Sequence, residues 1–253
     1  MHATRTLLAC AMMLGTTVPA LADDPEARGL VTQVRDSVPT EPMVAKATLE
    51  GSGGWVRELT MSHKQIGDDR ATLLEVTAPG DVAGSRYLFL ERTEGSDRQF
   101  MYLPKLTARV IEVMDAARHE PFLGSDFYVS DLMAPDVAAF TYAFVGEEEI
   151  LDRPCRLVEA TAKPDAGVPY AKTIMAIDPK DLVVTRVQAF DADGKLFKVW
   201  TLEKLETIDG QKTPIEQRMK NVQGESESTL TLDEIRYNVD LPDKLFDRGR
   251  LTR

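Results

Sequence analysis

Cysteine is almost missing from this chain. Its 253 residues include only Cys10 and Cys155, and Cys10 lies in a leader-like segment. A lone thiol cannot close an internal disulfide, so the fold must rest on a buried core, which this length permits. Beyond the leader no run approaches the roughly 18 apolar residues that a membrane-crossing helix needs. Histidine is scarce too. Past residue 22 only His63 and His119 remain, and neither sits in a metal-ligand spacing. His119-Glu120-Pro121 is not a zinc-protease helix, because proline follows at once and no second histidine lies one turn on. No serine stands in a Gly-x-Ser-x-Gly elbow. The glycine-rich stretch 51–54 is followed by neither Lys-Ser/Thr nor a helix, and no dinucleotide fingerprint is present. Asp191-Ala192-Asp193-Gly194 begins like a calcium loop, but Leu202 would occupy the twelfth position, and leucine cannot ligate calcium. No metal, cofactor or enzyme chemistry is expected. A formal charge of -11 without a basic stripe disfavours nucleic acid as a partner.

The composition is that of a globular protein, 43% hydrophobic and 28% charged. The start of the chain reads as an export signal. Arg5 supplies the charged n-region, residues 6–18 the apolar h-region, and Ala20-Leu21-Ala22 the small-x-small cleavage site, so processing is expected after Ala22 and the periplasm is the expected location. Leu7-Leu8-Ala9-Cys10 looks like a lipoprotein box, yet few residues precede it and the apolar run continues past it. Residues 24–38 then read as a helix, with Asp24 as cap, Pro25 in the first turn, and Leu30, Val31 and Val34 at helical spacing.

At least ten strand-like segments follow. Alternation marks 43–50, 55–65, 71–77, 86–92, 99–103 and 108–114, and resumes at 140–145, 155–162, 170–177, 182–190, 195–202, 213–223 and 228–237. Spacings of about ten residues, with Gly, Asp and Asn turns such as Asp193-Gly194, point to antiparallel hairpins in sequence order. No helix-length segment separates successive strands, which argues against parallel crossover units. No Pro- or Ser-rich linker divides residues 23–253, so one domain is expected. A final short helix is expected over 242–246. An antiparallel sheet has one apolar face to hide, by closure, by stacking on a second sheet, or under helices. The pattern by itself is compatible with all three.

One stretch departs from alternation. Residues 120–135, EPFLGSDFYVSDLMAP, form an apolar, helix-compatible island. It reads in two ways. It is either a helix that permanently plugs the core, or a lid whose apolar face can leave the sheet. Ser125 or Asp126 is expected to cap its helix.

Several motifs together resemble the LolA-like outer membrane lipoprotein-sorting family. They are Met101-Tyr102-Leu103-Pro104-Lys105-Leu106, Arg109-Val110, Phe122-Leu123-Gly124-Ser125-Asp126-Phe127, Asp131-Leu132, Phe190-Asp191-Ala192-Asp193-Gly194-Lys195 and Leu241-Pro242-Asp243-Lys244-Leu245-Phe246. The resemblance implies a mainly β (α+β) fold. Its curved antiparallel sheet of about eleven strands would form an incomplete barrel over short helices, with an apolar cavity between. It also implies periplasmic carriage of lipid or lipoprotein acyl chains, beside an inner-membrane transporter of the RND/MMPL type. The lipoprotein carrier of that family latches its lid with an arginine; Arg57 and Arg86 are the candidates here.

The expected function is therefore a periplasmic carrier of a lipophilic ligand. Trp55, Phe89, Met101, Phe122, Phe127, Met133 and Trp200 are the expected cavity and lid residues. The alternative is an envelope sensor or interaction module without a transport role. A hydrolase of envelope lipids built on His119 is a third reading.

Overall fold

Asp24 caps the first helix. Its carboxylate accepts from Glu26 N at 2.8 Å and Ala27 N at 3.4 Å, satisfying amide donors that the first turn leaves free. Helix α1 (Pro25–Asp36) follows and buries Ala27, Leu30 and Val31 along one stripe. The computed structural model describes residues 23–253 except 94, 135 and 165 and the side chains of 115 and 116. The expected leader, residues 1–22, lies outside the described residues.

The strands are β1 (Met43–Gly51), β2 (Val56–Ile66), β3 (Asp69–Ala78), β4 (Arg86–Glu91), β5 (Arg98–Tyr102), β6 (Val110–Glu112), β7 (Phe140–Ile150), β8 (Arg153–Ala162), β9 (Lys172–Asp178), β10 (Val183–Phe190), β11 (Leu196–Ile208), β12 (Gln211–Asn221) and β13 (Ser226–Tyr237). They form one antiparallel sheet of 13 strands rather than about eleven. Every segment read from alternation is a strand in it. The order is β6-β5-β4-β3-β2-β1-β13-β12-β11-β10-β9-β8-β7. Two meanders, β1–β6 and β7–β13, are joined where β1 pairs with β13. The edge strands β6 and β7 do not pair with each other, so the sheet is an incomplete barrel.

Directly opposite residues of an antiparallel pair point to the same face. The registers Leu230↔Leu49, Leu232↔Ala47, Ala47↔Leu59, Leu59↔Val76, Leu74↔Tyr87 and Tyr87↔Met101 thus run one apolar face across β13 and β1–β5. The registers Met219↔Ser228, Trp200↔Met219, Val187↔Trp200, Val187↔Met175 and Val158↔Met175 carry the same face on to β8. This inner face is covered in two parts. Helix α1 packs over Tyr142, Val158, Met175 and Ile177. Phe122, Leu123, Phe127, Val129, Leu132 and Met133, from the 113–139 connection between the edge strands, pack over the rest, while Val137 and Ala139 join the part under α1.

The outer face of β3–β5 is covered by the C-terminal segment. Leu241, Phe246 and Leu251 pack on Ala71, Leu73, Leu88 and Phe100. The expected short helix is present as a 3-10 turn, Asp243–Phe246. Arg86 fastens this segment. It pairs with Glu75 at 3.0 Å and donates to the carbonyls of Leu251 at 3.0 Å and Arg253 at 2.7 Å.

Phe246 is 4% exposed on this outer face. Phe246→Ala should therefore cost roughly 3 kcal/mol of stability. Urea unfolding followed by far-ultraviolet circular dichroism checks this. A loss below a third of that figure would mean that the C-terminal segment is not part of the core.

Candidate ligand-binding site beneath the flap

The island expected to be helical contains no α-helix. Pro121 stops a helix from entering, and Gly124 at φ 80 needs the left-handed region that favours glycine. The stretch forms a small loop closed by Phe122 N donating to Phe127 O at 2.8 Å and by the bridge between Pro121 and Tyr128. Short 3-10 turns, Phe122–Gly124 and Val129–Leu132, flank its tip. Ser125 Oγ accepts from Phe127 N at 3.2 Å within the same loop, so it caps a turn instead of a helix. This closure turns Phe122 and Phe127 to one side, onto the inner face.

All the residues expected to form a cavity and lid belong to one apolar cluster. Phe89, Phe122 and Phe127 are buried, and Trp55, Met101, Met133 and Trp200 pack half-buried against them. Phe122 meets Tyr87 edge-on, with centroids 4.9 Å apart. Trp55 lies directly against the backbone of Gly51, where any β-carbon would sit 2.2 Å from the indole.

The apolar cavity expected between sheet and cover is filled. Phe122 and Phe127 are 2% and 1% exposed. Two shallow hollows, about 220 Å³ and about 270 Å³, lie elsewhere. One is on the outer face beside Phe246, the other beside Val168 and Tyr170. The physical reason is that the connection carries its own aromatic side chains into the space that the open sheet leaves.

The flap is held by side chains and not by the sheet ladder. Among the described residues its backbone hydrogen bonds between Met114 and Ala134 stay within the flap. Its ties to the sheet converge on a few groups. Ser226 Oγ and Ser228 Oγ donate to the two carboxylate oxygens of Asp126 at 2.5 and 2.7 Å, and Asp126 N donates back to Ser228 Oγ at 3.0 Å. Lys198 Nζ donates to Asp126 O at 2.6 Å and sits 3.1 Å from the ring centre of Tyr128. Tyr170 OH donates to Asp131 at 2.9 Å, and Asp131 also accepts from Tyr128 N at 2.7 Å. Glu91 accepts from Ala134 N at 3.1 Å, and Gln99 Nε2 contacts Met133 Sδ.

These groups, and not Arg57 or Arg86, latch the flap, and Arg118 adds a tie by donating to Asp97 O at 2.7 Å. Arg86 is committed to the outer face. Arg57 lies over Trp55 at 5.3 Å and donates to Val56 O, while its Nε is buried without a partner. His119 makes no hydrogen bond with Ser125, whose hydroxyl is spent within its own loop.

Sequence reasoning missed Lys198, Ser226, Ser228, Asp131 and Tyr170. The signal was present as phase. Lys198 alternates with Trp200 on β11, and Ser226 and Ser228 alternate with Leu230 and Leu232 on β13, so all of them face inward. Desolvation perturbs the latch. Burial pushes Lys198 down to about 8, against the opposing pull of Asp131 and Asp126. Burial likewise pushes Asp131 and Tyr170 up.

The model of a family of uncharacterized proteins matches residues 68–253. A search of curated proteins finds no match. Solved structures share the fold. A DUF1329 family protein from Desulfovibrio piger superposes with TM-score 0.82 at 23% identity, covering 91% of this chain and 100% of that one. An outer membrane lipoprotein-sorting protein domain from Vibrio parahaemolyticus gives 0.82 at 20%, covering 90% and 99%. A LolA superfamily protein from Nitrosomonas europaea gives 0.67 at 16%, covering 87% and 97%.

The Lys198 shift has a sign that can be checked. An unfolded lysine keeps its proton to about pH 10.4, whereas the folded one releases it near 8. Between these values the unfolded chain holds more protons, so stability rises with pH. The wild type should gain stability relative to Lys198→Met from pH 8 to 9.5 and run parallel to it from pH 6.5 to 7.5. Thermal unfolding of both proteins at each pH measures this, and parallel curves throughout would place the ammonium in water.

Proposed function

The chain belongs to the family of uncharacterized proteins whose model spans residues 68–253, and on that premise, with its LolA-like fold, we propose that it is a periplasmic carrier of a lipophilic ligand. The ligand, a lipid or lipoprotein acyl chain, takes the place of Phe122 and Phe127 on the inner face. Export follows cleavage after Ala22, and residues 23–253 work as one carrier domain. An inner-membrane transporter of the RND/MMPL type is the proposed donor or acceptor.

The observation that carries the reading is the way the flap is attached. It plugs the sheet with aromatic side chains, yet it adds no strand to it. Exposing Phe122 and Phe127 costs roughly 3–6 kcal/mol at about 1.5–3 each, and Val129, Leu123, Leu132 and Met133 add to it. An entering acyl chain regains about 0.8 kcal/mol per buried methylene, so roughly four to eight methylenes offset the two rings and a longer chain offsets the rest. A flap that breaks no ladder can therefore exchange with a hydrocarbon of ordinary acyl length. Filling by the protein's own side chains keeps the inner face dry when no ligand is bound.

Both tryptophans of the chain, Trp55 and Trp200, lie in this cluster, so intrinsic fluorescence reports on the seat. N-phenyl-1-naphthylamine, a neutral apolar fluorophore, should bind the wild type and quench the tryptophans. Binding should also speed amide hydrogen exchange across residues 120–133. A wild type that neither takes up the fluorophore nor yields lipid on organic extraction would identify the flap as a permanent plug and end the carrier reading.

A further inference from the structure

Asp126 and Phe127 together have the form of a ligand. One offers a carboxylate, the other an apolar group, and the sheet holds each in a matching place. Phe127 is buried among apolar side chains. The Asp126 carboxylate rests in a seat made for an anion, with one serine hydroxyl on each oxygen and the ammonium of Lys198 on the adjoining carbonyl. We propose that the cargo is an amphiphile with a carboxylate headgroup, and that the Asp126–Phe127 segment of the flap is its built-in substitute. The inference rests on the carrier reading and narrows it to a chemical class.

The strand registers order the seat. Lys198 pairs with Asn221, which pairs with Ser226; one row deeper, Trp200 pairs with Met219, which pairs with Ser228. The rows pass from polar at the hairpin ends of β11–β13 to apolar toward Leu230 and Leu49. A headgroup at the outer row thus directs a hydrocarbon tail along the inner face.

Displacement of the flap has an electrostatic consequence. Lys198 is 2% exposed, and its hydrogen-bond acceptor among the described residues is Asp126 O. When the flap leaves, the ammonium loses that acceptor and the nearby Tyr128 ring, and both serines lose theirs. A neutral ligand entering this place leaves a buried cation and two hydroxyls unpaired, which is costly. A carboxylate satisfies all three. A cationic ligand is repelled, because the ammonium of Lys198 stays on β11 beside the vacated seat. Arg57 adds a second cation on the same face, with its Nε unpartnered.

The test compares cis-parinaric acid with its methyl ester, which has the same tail and no charge, by quenching of Trp55 and Trp200 in the full chain. The acid should bind at least about tenfold tighter, as a charge-assisted hydrogen-bond set implies. The acid-to-ester ratio should fall toward one in Ser226→Ala/Ser228→Ala and in Lys198→Met. Asp126→Asn, which weakens the built-in competitor, should raise the affinity for the acid. The serine pair and Asp126→Asn keep the test decisive if Lys198→Met does not fold. Equal binding of acid and ester overturns the headgroup assignment and leaves the carrier reading standing. Binding of neither overturns both.

Discussion

The two edges of this sheet are consecutive in sequence and unpaired in space. Strand β6 ends one side, β7 begins the other, and residues 113–139 must span the gap between them. The sheet leaves an apolar inner face that no second sheet covers, so the spanning segment is the available cover. Its composition follows from that duty. It carries Phe122, Phe127 and Val129 to the apolar side and Asp126 and Asp131 to the polar attachment points. A strand-like segment there would have closed the barrel and removed any reason for a flap. Pro121 and the left-handed Gly124 prevent both a strand and an α-helix, and leave a loop that presents side chains.

The second cover, α1, is attached differently. Asp24 N donates to Tyr142 O, Tyr142 N donates to Asp23, and Arg28 donates to the carbonyls of Val137 and Phe140. A backbone-to-backbone bond to β7, reinforced by Asp23 and Arg28 on backbone groups of β7 and Val137, thus anchors the helix start, whereas each flap bond to the sheet between Met114 and Ala134 involves a side chain. The C-terminal segment on the outer face is held by buried leucines and by Arg86. Of the two covers of the inner face, the flap is the one whose departure breaks no backbone-to-backbone bond among the described residues between Met114 and Ala134. In the proposed carrier this asymmetry makes the half under α1 the fixed one and the half under the flap the exchangeable one. Lys198 and the two serines lie under the flap, where, on that proposal, a polar group serves the flap in one state and a ligand in the other.

Much of this architecture was legible in the residues. Alternation located each strand, because a half-buried strand must repeat every two residues, and Asp24 with Pro25 marked the helix start. The strand number of about eleven came from the family likeness and not from the alternation, and the structure has 13. The apolar candidates Trp55, Phe89, Met101, Phe122, Phe127, Met133 and Trp200 were legible as large side chains on alternating segments or on the island, and the fold gathers them into one cluster. The latch was not found, since a lysine and two serines in strands read as solvent-facing residues until the phase of their neighbours is compared. The arginine latch suggested by resemblance was misplaced. Arg86 lies on the opposite face, and Arg57 stacks on Trp55 without reaching the flap.

Local order, strand by strand, was determined by the sequence alone, because period, turn residues and caps act over a few residues. So was the lack of an internal disulfide among the described residues, which hold the single cysteine Cys155. Three things were decided only by tertiary structure. The pairing of β1 with β13 determines which strands become edges, and it joins residues from the two ends of the chain. The choice of face turns Lys198 inward beside Trp200. The filling of the inner face by the flap's own aromatic rings depends on how far β6 stands from β7. Each is a long-range relation between segments that alternation describes one at a time, and packing, not pattern, selects among the ways they can meet.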